Sequence, residues 1–388
     1  MALKTRTILD SDNGIYSESL DIEEVFQSPA GAIPFRITKR RLHGGIRDGV
    51  DIIEVDNGKF CFTIIPTRGM NMWKGRCGDV QLKWDSAVRG PVHPKFVSLN
   101  DPSGCGWLDG FDEFIARCGL ESLGSSEFDQ NGVLKYGLHG RISNLPARRV
   151  KVSFNTETGE IIIKGVIEEA RALQKRLALY VTYSTFAGSS KLTVHDMVKN
   201  RSSVATDFEL MYHINAGEPF VSAGAKVMVP FEEMCPRDNN AVEQLPDWNI
   251  YQEPLPGRPE CCFFFDLAVD RNKNTKVLLI NSQGTRGLTL GFNKEQFPHF
   301  LVWKMQRPCG DSYVTGLEPG LNFPNTKSFE KEKGRVQILE PGETRSFEFS
   351  LEVLHNFGEI SETIHYIKRL QSNASGKILK APKPDWCE

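Results

Sequence analysis

In "SFEFSLEVL", Phe347, Phe349, Leu351 and Val353 alternate with Glu348, Ser350 and Glu352. That is the period of a half-buried antiparallel strand. The same alternation runs through "TDFELMYHINAGEP", where Phe208, Leu210, Tyr212 and Ile214 share one side and Glu209, Met211 and His213 the other. Further strands are predicted in "EIIIKGVIEE", "RLALYVTYSTF", "SKLTVHDMV", "KVLLINS", "LTLGF" and "RVQILE". All are short, β-branched or aromatic-rich, and bounded by Gly, Pro, Asn or Asp turns. Two stretches read as helical. "SLDIEEVFQ" predicts a short helix, and "EISETIHYIKRLQS" puts Ile360, Ile364, Ile367 and Leu370 at helical spacing for a final helix on the sheet. Residues 1–388 read as one large, mostly antiparallel all-β domain, with a helix and a loosely held tail over 358–388.

A formal net charge of −2 and 25% charged residues give no basis for a nucleic-acid or anionic-membrane partner. The densest basic run, "TKRR", reads as a solvated strand end. The opening "MALKTRTILDSDNG" contains no apolar leader core, and no run reaches the ~18 apolar residues of a membrane helix. Nine cysteines without C-x-x-C spacing read as reduced, mostly buried thiols, which places the chain in the cytoplasm and leaves the sequon at Asn373 unused. The phosphate-loop, dinucleotide, nucleophile-elbow and zinc-protease motifs are missing. Neither a cofactor nor a metal is expected, which leaves acid–base chemistry or plain binding.

Three local signals carry candidate chemistry. In "YGLHGRISNLPA", Gly137 and Gly140 flank His139, freeing the backbone for unusual dihedrals and close ligand approach. His213 sits near the end of its strand, off the apolar face. Glu318 in "DSYVTGLEPGLNFPN" likewise occupies a strand end just before Pro319 and Gly320. Alone, each reads better as a turn residue or a solvated strand end.

Together and in this order, "LHGRISNLPA", "LTVHDMVKNRSSVATDFELMYHINAGEP", "GLEPGLNFPNT" and "ILEPGETRSFEFSLEV" resemble the aldose 1-epimerase (galactose mutarotase-like) superfamily. "FCFTIIPTRGMNMWKGRCGDVQLKW" is similar to that superfamily's N-terminal hairpin, so the match runs from about Lys59 to Val353. The resemblance implies a β-supersandwich of two large antiparallel sheets with a few short helices and a sugar site on the concave face. It implies an isomerase that interconverts the anomers of a small-molecule carbohydrate. His213 corresponds to the general acid, Glu318 to the general base and His139 to a substrate-holding histidine. Arg117 in "FIARCGLESLG" matches the sugar-binding Arg, and Asp238 in "CPRDNN" the substrate-binding Asp. The chain departs from the common pattern after His213, where Ile-Asn-Ala-Gly-Glu replaces aromatic-Asn-Leu.

A sugar site also wants an aromatic face. Trp73, Trp84, Trp107 and Trp303 fall in or near the matched segments, and Trp303 is the expected binding residue among them. Arg68 and Arg141 raise an anionic sugar, a phosphosugar or uronate, because Arg grips such groups bidentately. A carbohydrate-binding or regulatory protein on the same scaffold, and a lyase or hydrolase, are the competing readings. No second carboxylate in the matched segments pairs with Glu318 as a hydrolase requires. The sequence leaves the oligomeric state open.

Overall fold

The structure, a computed structural model, describes residues 3–388; the first two residues of the stretch read for a leader lie outside the described residues. The described strands form one sheet of ten, one of fourteen and a small pair, Glu127–Phe128 with Leu134–Tyr136, antiparallel throughout except where Lys377–Ile378 pairs in parallel with Phe231–Pro236. The two sheets enclose the main core, which draws Ile163, Val181, Val194 and Phe349 from the smaller sheet and Ile53, Phe62, Leu210 and Tyr212 from the larger.

Burial patterns separate the roles of the sheets. The Lys191–Asn200 strand of the ten-stranded sheet alternates strictly between buried and partly exposed positions, as a sheet with one wet face must. The Thr206–Ala216 strand of the other sheet is buried at nearly every position. Its second face is covered by a separate cluster that includes Trp84, Trp107, Phe111, Met211, Cys262 and Phe264. Apolar residues behind His213 therefore feed the core between the sheets, while His213 and Met211 face the covered cleft.

The expected final helix is present as Phe357–Gln371, capped by the Asn356 side chain accepting from the Glu359 backbone N–H. Ile360 and Ile367 pack against Leu278 and Leu354 at the edge of the ten-stranded sheet. Two expectations are corrected. "SLDIEEVFQ" is not a helix but the Leu20–Ser28 strand, hairpin-paired with Gly31–Arg41 in register from Leu20↔Lys39 to Ser28↔Gly31. Its Leu20, Ile22 and Phe26 obey period two as well as they obey a helical spacing, and the Pro29–Ala30 turn brings a partner strand within reach. Nor is the tail loose. Ile378 joins the sheet edge, Trp386 packs 5.3 Å from Phe323, Cys387 is buried, and Glu388 accepts from the Thr326 hydroxyl at 2.7 Å.

All nine cysteines are free thiols, six of them buried. Among the described residues no helix is long and apolar enough to cross a membrane.

Candidate functional site

Strand register brings His213 and Glu318 together. Thr206–Ala216 pairs with Tyr313–Gly320 through Met211↔Gly320 and Ile214↔Leu317, which puts His213 opposite Glu318 on the cleft face. His213 Nε2 stands 3.1 Å from Glu318 Oε1. The two are not aligned for a hydrogen bond, and Glu318 Oε1 has no donor in the protein. Gly316, two residues before Glu318 on the same face, makes the space. A Cβ there would meet Glu318 Oε1 at 2.2 Å and His213 Cε1 at 3.0 Å.

The tautomer of His213 follows from its neighbours. Asn215 Nδ2 donates to the Glu113 carbonyl at 2.9 Å, which turns Asn215 Oδ1 toward His213 Nδ1 at 2.5 Å. Nδ1 therefore carries the hydrogen, and Nε2 is the nitrogen offered to Glu318 and the cleft. Burial drives the His213 pKa well below 6.5, and the neighbouring His139 adds to the effect. Burial likewise drives the Glu318 carboxyl well above 4.5, with Glu260 adding and Arg237 opposing. Burial favours the uncharged pair, a protonated Glu318 carboxyl beside a neutral imidazole.

His139 comes from the turn between the Leu134–Tyr136 and Arg149–Phe154 strands. Its backbone lies in the left-handed region, φ +55°, followed by Gly140 at φ +71°. Such a conformation costs a non-glycine residue on the order of 1–3 kcal/mol and persists only where the surroundings enforce it. They do so here. His139 N–H donates to the Gly124 carbonyl at 2.9 Å, and a Cβ on Gly140 would strike the Ser122 carbonyl at 2.0 Å. His139 Nδ1 donates to the Leu123 carbonyl at 2.8 Å, leaving Nε2 as the acceptor. Burial lowers its pKa too, so it is a neutral acceptor. The His139 and His213 rings lie 5.5 Å apart, edge to face.

Around these three groups lies a cavity of about 270 Å³. Trp107, Phe111 and Trp303 form its aromatic walls, with Phe111 5.1 Å and Trp303 5.3 Å from the His213 ring. The Trp107 Nε1–H is buried without an acceptor. Two charged residues complete it. Arg237 Nη2 donates to Glu260 Oε1 and Trp303 Nε1 to Glu260 Oε2, both at 2.8 Å. Burial works against the Glu260 carboxylate, but Arg237 holds its pKa below the ordinary value. Cys262 also lines the cavity, and burial raises its thiol pKa well above 9.0, which keeps it protonated and poorly nucleophilic.

Of the residues singled out in the sequence, His213, Glu318, His139 and Trp303 meet here. Four do not. Arg117 is fully buried between the sheets, where Nε and Nη2 grip Asp196 at 2.6 and 3.1 Å, and Nη1 donates to the Met70 carbonyl and the Tyr183 hydroxyl. His213 pairs with Ala116, so Arg117 faces with Tyr212 into the core, one residue out of phase with the cleft. Arg68 is equally buried, bound to Glu113, Asn144 and the Val92 and Gly110 carbonyls. It braces the Glu113 segment that orients Asn215. Asp238 caps the Asn239–Glu243 helix, accepting from Ala241 N–H at 3.0 Å, and it is its neighbour Arg237 that enters the cavity. Arg141 lines a separate, adjoining cavity.

The sequence reading missed Arg237 and Glu260, and with Glu260 the second carboxylate it found lacking. Glu260 precedes the Cys261–Leu267 strand, in which Cys261 faces the main core and Cys262 the cleft cluster. That alternation was the available signal, since it directs the strand's entry toward the cavity.

A family model described as "Domain of unknown function (DUF4432)" matches residues 47–353. No curated protein matches the chain. Among solved structures, a Klebsiella pneumoniae protein described as a "putative aldose 1-epimerase" superposes with a TM-score of 0.93 at 28% identity, covering 98% of this chain and 99% of that one. A galactose mutarotase-like protein from Clostridium acetobutylicum gives 0.58 at 15% identity, over 82% of this chain and 98% of that one. The galactose 1-epimerase of Lactobacillus acidophilus gives 0.50 at 10% identity, over 84% and 99% respectively, a likeness of fold alone. The fold is thus galactose mutarotase-like, with two large antiparallel sheets.

Proposed function

Because the chain belongs to the DUF4432 family and has the mutarotase-like fold, we propose that it is an aldose 1-epimerase-type isomerase working through His213 and Glu318. The observation that carries this reading is the buried His213–Glu318 pair, 3.1 Å apart, opening onto a cavity with an unpartnered oxygen on Glu318 and an orphaned donor on Trp107. Buried polar groups are normally partnered. A sugar, with hydroxyls that both donate and accept, supplies both partners.

Anomer exchange needs the ring opened and closed again. Sugar hydroxyls entering the cleft restore the hydrogen bonds that a charged pair requires, and the proton passes from Glu318 to His213 Nε2. The Glu318 carboxylate then removes the C1 hydroxyl proton while the His213 imidazolium protonates the ring oxygen. This leaves Glu318 protonated and His213 neutral, the resting pair. After rotation about C1–C2, closure runs the same transfers backward: Glu318 protonates the aldehyde oxygen as His213 takes the proton of the attacking hydroxyl. Opening uses the charged tautomer and closure the uncharged one, so one shared proton serves both directions.

His139 Nε2, the Trp107 indole N–H and the Glu260–Arg237 pair hold hydroxyls, with Trp303 as the stacking face. Glu260 is a holder and not a second catalytic carboxylate, because Arg237 and Trp303 occupy one oxygen each. That arrangement speaks against a two-carboxylate hydrolase.

The direct test is NMR saturation transfer between anomers across neutral aldoses, phosphosugars and uronates, with a His213→Asn/Glu318→Gln double variant as control. Exchange on one sugar that disappears in the variant is the expected result. Absence of exchange on every sugar, with a sugar still raising the melting temperature, would replace the enzyme by a binding protein. Gly316→Ala supplies a finer test. It adds no charge and removes no catalytic atom, yet its methyl invades the 2.2 Å approach to Glu318. A displacement of this kind is expected to slow exchange on the order of 10²-fold. Wild-type exchange in a folded Gly316→Ala protein would show that the pair tolerates another geometry.

A further inference from the structure

The loop bearing His139 has a second side. Trp107 and Leu138 line the cavity just described and also a smaller one of about 120 Å³, less than half its size. The two cavities differ in charge. Arg237 and Glu260 offset one another in the larger, whereas the smaller is lined by Lys135, Arg141 and Arg171 against a single carboxylate, Glu121. What cancels these cations is limited. Lys135 reaches Glu127 outside the cavity wall at 2.6 Å, and Arg171 stands 3.7 Å from Glu121, beyond hydrogen-bond length. The Arg141 guanidinium makes no hydrogen bond or ion pair with any described residue. Its acidic neighbour Glu169 is buried and accepts the backbone N–H groups of Leu120 and Glu121; burial raises its carboxyl pKa, while those N–H groups and Arg141 itself pull it back down.

We propose that this smaller cavity is an anion site, taking a phosphate or carboxylate group on the fork of Arg141 with Arg171 and Lys135 beside it. A guanidinium presents paired donors that match either group, and in a concave site one whose donors make no hydrogen bond has them to give. The volume suits a charged headgroup and leaves no room for a second ring as large as the first cavity admits. Gly140 lets the chain turn between the two sites, sending His139 to one and Arg141 to the other. The anion belongs either to a substituent of the sugar held on the far side of Trp107 or to an independent small molecule. Both present the same oxygens to Arg141.

Binding, not turnover, tests the site, so the result stands apart from the epimerase reading. Inorganic phosphate is titrated into the wild-type protein, Arg141→Gln and Glu318→Gln, followed by thermal shift and by ³¹P line broadening. Phosphate is expected to raise the melting temperature of wild type and of Glu318→Gln alike, and to bind Arg141→Gln weaker by about tenfold or more. Arg171→Gln is expected to weaken it as well. No phosphate-dependent shift in wild type, or an unchanged affinity in Arg141→Gln, overturns the proposal. A second arm compares a hexose phosphate with the free hexose plus inorganic phosphate. Tighter binding of the linked molecule assigns the site to a substrate's substituent; equal binding assigns it to a separate anion.

Discussion

Glu318→Gln is expected to abolish anomer exchange, by about 10²- to 10⁴-fold for one positioned acid–base group, while making the protein harder to unfold at neutral pH. The second half follows from burial. Glu318 is only 2% exposed, and its carboxyl pKa lies well above the ordinary 4.5. Between those two values the folded protein binds a proton that the unfolded chain has released, so stability falls as pH rises through that window. Glutamine does not titrate, and it keeps the shape of the protonated acid. The melting temperatures of wild type and Glu318→Gln should coincide below about pH 4.5 and separate progressively above it, the variant being the more stable. His213 contributes the mirror image. Its depressed pKa makes the folded protein release a proton that the unfolded chain keeps, so stability is lost as pH falls below 6.5. A series of melting curves from pH 4 to 8 reads both limbs. Parallel curves would mean that Glu318 is ionised in the resting protein, and the shared-proton cycle would then lose its starting state.

Arg117→Met should have the largest effect on stability of any single change considered, and little specific effect on substrate binding. Arg117 bridges the sheets, and its Asp196 partner also accepts from the Tyr212 hydroxyl at 2.7 Å. Removing the guanidinium strands a fully buried carboxylate, which typically costs about 3–5 kcal/mol. Urea denaturation measures it, and Arg117→Met/Asp196→Leu should recover a substantial part, because the stranded charge is removed with its partner. An unchanged urea midpoint together with a raised KM would reinstate the sugar-binding role that the sequence resemblance implies for Arg117.

Why that resemblance misplaced Arg117 while placing His213 is a matter of parity. Around His213 the alternation is visible: four apolar residues mark the core side, and the histidine falls on the other. The Ile115–Leu120 strand is buried at every position, so nothing in its composition says which side is which. Only pairing with Thr206–Ala216 resolves it. Glu318 and His139 were legible because each stands beside turn-forming Gly or Pro residues at a fixed place in an ordered series. Arg237 and Glu260 were not. They come from loops that flank strands, and what makes them a pair is their approach in space across 23 residues of chain. The two large sheets were readable for the same reason as His213, since period two is a local property. The strand at Leu20–Ser28 was the exception, because its spacing satisfied both periods and only the hairpin partner decided between them.

The Thr206–Ala216 strand, packed on one side and open to the cleft on the other, imposes a rule about length as well as composition. One added or deleted residue ahead of His213 would exchange the two faces, carrying the imidazole into the core and a tyrosine or isoleucine into the cleft. Substitution can proceed by small steps along such a strand, but insertion cannot. An added residue is expected to be tolerated instead at a connection such as the hairpin tip around Leu173, which is fully exposed to solvent and has no second face to lose.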